Sequence, residues 1–181
     1  MGQYYRPVLK DAQGRITVFN RHVDGEYTLA KLTEHSWWLN EFVSTITKML
    51  YNNPQKVAWV GDYCDDVGTR LAKSLHKIAW SEDVDGIGVT KDELFLDGLF
   101  LVNHTKKCYV NCAEFKKSSR DSNGWVLHPL PLLTAIGNGL GGGDYRGVNK
   151  NDIGAWCFDK IEVTDKAPEK YTAKSYKFID S

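Results

Sequence analysis

Three aspartates crowd one short segment, Asp62, Asp65 and Asp66, and a fourth, Asp144, closes a glycine run far downstream. Carboxylates gathered in this way can hold a divalent cation such as Mg²⁺, which polarises a phosphoryl oxygen and activates water for phosphodiester cleavage. The same residues serve as turn formers and helix caps, because a carboxylate accepts from the free amides of a first helical turn. Metal-free RNA cleavage instead needs an acid–base pair, usually including histidine, and a cation for the phosphate. His22, with Tyr4, Tyr5, Arg6 and Arg21 in the same stretch, supplies that set. Catalytic candidates are therefore His22, Asp62 and Asp144, with the metal left open. His35, His76 and His104 read as helix or turn surface, and His128 precedes a proline.

Residues 137–147 hold six of the sixteen glycines. Such a run persists where the backbone needs φ > 0 or where something must approach the main chain closely. It is not a P-loop, because no lysine followed by serine or threonine completes it. Nor does it sit between the first strand and first helix of a βαβ unit, as a dinucleotide fingerprint requires. A structural loop, or one offering backbone amides to a phosphate, remains. Asp144, Tyr145 and Arg146 stand at its rim.

Twenty-three acids balance twenty-three bases, so no global field draws the chain to nucleic acid or membrane. The charge is uneven, however. Residues 1–23 carry Arg6, Lys10, Arg15 and Arg21 against Asp11 alone, interleaved with Tyr4 and Tyr5. Aromatics among arginines suit RNA, by base stacking and guanidinium–phosphate pairing. Tyr4, Tyr5, Arg6, Lys10, Arg15 and Arg21 are the RNA-binding candidates. The four cysteines, 64, 108, 112 and 157, fit no zinc spacing and read as reduced, mostly packed thiols. No apolar run approaches a membrane span, and no apolar signal region opens the chain.

The elements that must carry these residues make an α+β domain over 1–181: an antiparallel sheet, an N-terminal β-hairpin and one or two main helices. Residues 4–10 and 15–22 alternate around a turn with Gly14, giving the hairpin. Residues 33–51 have a helical apolar period, ended by Pro54. A buried strand over 57–60 and a second amphipathic helix after Asp66 follow. Residues 99–103 and 108–115 read as another hairpin, with Cys108 and Cys112 on one face, and 125–127 as a short strand. Pro129 and Pro131 break the chain before an apolar stretch, and 155–163 is the last clear strand. The basic tail, 164–181, has the composition to add an edge strand. Strands at both ends favour α+β over a doubly wound sheet.

Two resemblances add to this. Residues 1–5 with 60–63, and the glycines and Asp144–Tyr145–Arg146 of the loop followed by Gly154, Ala155 and Trp156 and then by Asp159, Lys160 and Ile161, resemble a group of small uncharacterised proteins of phages, plasmids and bacteria. The size, single α+β domain and basic hairpin also resemble phage anti-CRISPR proteins that disable Cas9 by having its guide RNA shortened. That resemblance implies Cas9 and its guide RNA as partners, the hairpin as working surface and the cytoplasm of a host bacterial cell as location. The reading is an anti-CRISPR protein promoting guide RNA truncation. The alternatives are a non-enzymatic inhibitor that blocks complex assembly, and a metal-dependent hydrolase using Asp62 and Asp144.

Overall fold

A computed structural model of the chain describes residues 2–23, 26–28, 30–89, 98–145 and 147–179, without the side chains of 21–23 and 26–28. The N-terminal hairpin forms where alternation places it, as β1 (Tyr5–Lys10) and β2 (Ile16–Val23), with Val8 opposite Val18. Asp11 builds its turn: Oδ1 accepts from the amides of Gln13 and Arg15, each at 2.9 Å. Then come β3 (Glu26–Thr28), α1 (Glu41–Leu50), β4 (Gln55–Gly61), a 3₁₀ turn Cys64–Val67, α2 (Arg70–Trp80) and β5 (Ile87–Val89). The second half contributes β6 (Phe100–Asn103), β7 (Cys108–Asn111), α3 (Cys112–Lys117), α4 (Pro129–Thr134), β8 (Ala135–Ile136), β9 (Lys160–Thr164) and β10 (Thr172–Ala173).

The chain is α+β. The sheet runs β10-β7-β6-β9-β4-β1-β2-β3, with β5 on β2 and β8 on β4. It is mixed rather than antiparallel: β5–β2, β8–β4 and β10–β7 are parallel pairs. The hairpin is therefore no appendage, since β1 lies between β4 and β2. Along β1, Tyr5 and Leu9 join the larger core with α1 residues Phe42, Ile46 and Leu50. Val8 faces the other way, packing with Ala58, Val60 and α2 residues Leu75 and Ala79. Helices on both faces explain why β1 and β4 are buried almost throughout.

Local capping explains where sequence and structure part. α1 begins at Glu41 rather than 33 because Leu39 takes φ 69° and the Asn40 side chain accepts from Phe42 N at 3.0 Å. Upstream of it, Trp38 N donates to Val126 O and Trp37 bridges Leu127, so residues 37 and 38 join a small ladder instead. The strand of 108–115 stops at Asn111, whose side chain accepts from Ala113 and Glu114 and starts α3; Cys112 is helical and shares no strand face with Cys108. Pro129 opens a helix rather than breaking one, with no amide to waste at that position. Residues 154–159 turn, with Phe158 at φ 59°, before β9 begins. The tail does add an edge strand, β10.

His128 caps α4, its Nδ1 accepting from Leu130 N at 3.1 Å, with the ring 4.5 Å from Trp38. Burial holds its pKa down to about 3, against 6.5 in the open chain. The unfolded chain therefore takes up a proton that the fold refuses, and stability falls as pH drops from about 6.5 towards 3. His128→Asn keeps a capping oxygen without the titration. Urea midpoints should fall less steeply with acid in that variant than in the wild type; equal slopes would separate this ring from acid unfolding.

Candidate functional site

The glycine run wraps the start of the chain. Gly2 bridges Gly142, and Gln3 N donates to Gly142 O at 3.1 Å. Tyr5 lies with its phenol inside and donates to Asp144 Oδ1 at 2.5 Å, while Gly141 N donates to Oδ2 at 2.6 Å. With its amide nitrogen towards Asp144, Gln3 also donates to the carboxylate at 2.8 Å and to the Tyr5 hydroxyl at 3.0 Å. A side chain at position 141 would lie on the Gln3 Cβ and within 2.6 Å of its backbone nitrogen, which only glycine permits. Gly143 adds φ +90° against the Lys31 stem. Positions 3, 5, 61, 137, 141 and 144, most of them in the motifs quoted above, meet in one buried knot.

This geometry gives Asp144 an architectural task. It is 4% exposed and each of its oxygens already accepts from a protein donor. Burial first, and then the Asp144 hydrogen bond, push the Tyr5 phenol up, so it stays protonated. Asp62 is a neighbour: its Oδ1 accepts from Tyr4 N at 3.1 Å. Burial raises its pKa, hydrogen bonds from Tyr4 and its own amide oppose this, and the Asp144 charge adds to the rise. Asp65 turns to His76 at 3.6 Å, and Asp66 accepts from Asn138 Nδ2 at 3.3 Å. Among the described residues no three histidines, cysteines or carboxylates gather as a metal-ligand group. All four cysteines are free, and burial pushes Cys64, Cys112 and Cys157 up to about 12, which leaves no thiolate nucleophile there.

The hairpin candidates do not form one stripe. Tyr5 is core. Arg6 donates from Nη1 to Ala79 O at 2.8 Å and lies 4.4 Å over the Trp80 ring, capping the C-terminal end of α2. Burial lowers its pKa, against the pull of Asp85. Tyr4 is half-buried at the Asp62 end. Lys10 and exposed Arg15 sit at the opposite end of β1, with Arg15 paired to Asp11 at 2.6 Å. The side chains of Arg21 and His22, and all of Arg146, lie outside the described residues.

At the Lys10 end the sheet registers assemble what no motif contained. Lys10 stands opposite Lys56, and Lys56 opposite Lys160. Directly opposed residues project from the same face, so the three lysines form a row across β1, β4 and β9 whose backbone positions span about 10 Å. They border a groove of ≈ 370 Å³ that also takes in Asp11, Gly14 and Pro54. Lys56 lies 5.3 Å over the Phe158 ring. Among the described residues no carboxylate is within ion-pair distance of the three. Like charges directly opposed across strands repel, so this row costs stability. Lys56 carries no sequence signal, and Lys160 belongs to the resemblance without a role there, because only tertiary register joins positions 10, 56 and 160.

Comparison of the chain with protein-family models, curated proteins and solved structures gives no match. No helix among the described residues is long and apolar enough to cross a membrane.

Asp144→Ala strands the Tyr5 hydroxyl, the Gly141 amide and the Gln3 amide, and should cost about 3 kcal/mol of unfolding free energy. A denaturant midpoint unchanged from wild type would show that the knot does not hold the loop. Asp62, whose acid form the fold favours, contributes stability below its unfolded pKa that is lost as pH rises through the folded one. Asp62→Asn should therefore raise the thermal midpoint at pH 7 and leave it unchanged at pH 3.

Proposed function

We propose that the protein binds the phosphate backbone of RNA through the Lys10–Lys56–Lys160 row, and that its RNA is the guide RNA of Cas9, which it engages to inhibit the complex. The row carries the first part: three aligned cations without a carboxylate partner among the described residues are costly unless a polyanion neutralises them. The resemblance to phage anti-CRISPR proteins carries the second. Zero formal net charge supports a chain that meets RNA on a partner rather than seizing free RNA.

The row reads charge, not sequence. Phe158, the ring under Lys56, is taken up by that contact, and Tyr5 is buried elsewhere, so the row itself offers charge rather than a stacking platform. Structured RNA, whose backbone presents regularly spaced phosphates, fits this surface better than unstacked bases. With Asp144 engaged in the loop, the geometry favours this reading over hydrolysis by an Asp62–Asp144 metal pair.

Lys10, Lys56 and Lys160 changed together to Gln should weaken guide RNA binding in gel shifts and flatten the dependence of log affinity on log salt by roughly two to three. Relief of repulsion should leave that variant at least as stable as wild type. Wild-type protein should reduce DNA cleavage by Cas9 loaded with guide RNA. Undiminished cleavage would remove Cas9 from the reading, and an unaltered salt slope in the variant would remove the row. Guide RNA binding that persists in EDTA would count against a Mg²⁺ requirement.

A further inference from the structure

Beyond Lys160 on the same strand, three residues distant in sequence meet. His104 lies in the turn between β6 and β7, Glu162 on β9 and Tyr171 just before β10. The Tyr171 hydroxyl is 3.0 Å from His104 Nδ1, and Glu162 Oε2 is 2.8 Å from His104 Nε2. The tautomer with the proton on Nε2 satisfies both contacts: Tyr171 donates to the imidazole and the imidazole donates to Glu162. Hydroxyl, imidazole and carboxylate thus follow in the order that activates a nucleophile.

The surrounding backbone fixes each member. His104 N donates to Lys160 O at 2.8 Å, and Lys160 N donates to Thr105 Oγ1 at 2.9 Å. Thr172 N donates to Lys107 O at 3.1 Å, seating Tyr171. The His104 and Glu162 side chains are 27% and 20% exposed, so the set is held yet reachable. Glu162 and Lys160 are two residues apart on β9 and share a face, which puts the set beside the lysine row.

We propose that Tyr171, His104 and Glu162 form a phosphoryl-transfer site acting on an RNA phosphodiester held by the lysine row. This rests on the RNA-binding reading above. The Tyr171 oxygen attacks phosphorus as its proton passes to His104. The bond from phosphorus to the leaving 5′ oxygen breaks, and that oxygen takes the proton from His104. A 3′-phosphotyrosyl end and a free 5′-hydroxyl result. The adjacent ribose 2′-hydroxyl then displaces the tyrosine, its proton reaching the phenolate through His104, and leaves a 2′,3′-cyclic phosphate. Glu162 is a positioning residue, holding the imidazole in the working tautomer.

The test uses guide RNA labelled with ³²P at its 5′ end, free and loaded on Cas9, with the intact protein. Wild type should shorten the RNA and, after quenching in SDS, carry label on its own band. Tyr171→Phe should bind RNA with unchanged affinity, melt at the wild-type temperature, lose the labelled band and cleave at least about 100-fold more slowly. Glu162→Gln should lower the cleavage rate without changing affinity, and Glu162→Asp should recover part of it. RNA that wild type binds but leaves intact would overturn the site and spare the binding reading. Shortening at full rate by Tyr171→Phe would do the same. RNA that wild type does not bind would overturn both.

Discussion

One buried hydrogen bond, from the Tyr5 hydroxyl to Asp144, ties the glycine run to the strand at the centre of the sheet. Its strength comes from its surroundings. A charged acceptor inside a low-dielectric knot holds its donor far better than in water, and leaving either group unpaired there is costly. Gln3 and Gly141 complete the carboxylate's shell, and the close fit of Gly141 on Gln3 removes any slack. With the loop fixed, Thr33 N and Oγ1 both find Gly143 O, so the approach to α1 is positioned from the same knot.

The two faces of the sheet divide the labour. One is sealed by α1, α4 and the C-terminal residues Tyr176 and Phe178, whose rings stack with centroids 6.2 Å apart. On the other, α2 covers Val8, Ala58 and Val60 and is anchored there by Arg6. Past the end of that cover the same strands continue with Lys10, Lys56 and Lys160. The lysine row is thus the uncovered continuation of a core face, and its rigidity comes from the sheet rather than from loops.

What could be read from the sequence was what is local. The alternation of residues 4–10 and 15–22 with Asp11 and Gly14 between them marks the hairpin, and the apolar run 57–60 marks β4. Tyr5 and Arg6 were legible as strand residues but not as interior ones, because their burial depends on β4 and α2 arriving on either side. Asp144 was legible as special and not as structural, since its partners Tyr5 and Gln3 lie at the far end of the chain. Lys56, His104, Glu162 and Tyr171 sit in stretches without a motif, and Lys160 lies in the Asp159–Lys160–Ile161 resemblance, which gave it no role. Their relation is created by register alone, in which a shift of one residue sends every side chain to the opposite face.

That dependence on register has a kinetic side. The Tyr5–Asp144 contact spans 139 residues, and β6 pairs with β9 across a shorter but still long stretch, Phe100 meeting Thr164. Loops of that length close slowly and at an entropic cost paid before any contact rewards it. A partly folded chain therefore owns all three lysines and none of their alignment, so the binding proposed for the row would become a direct readout of completed folding.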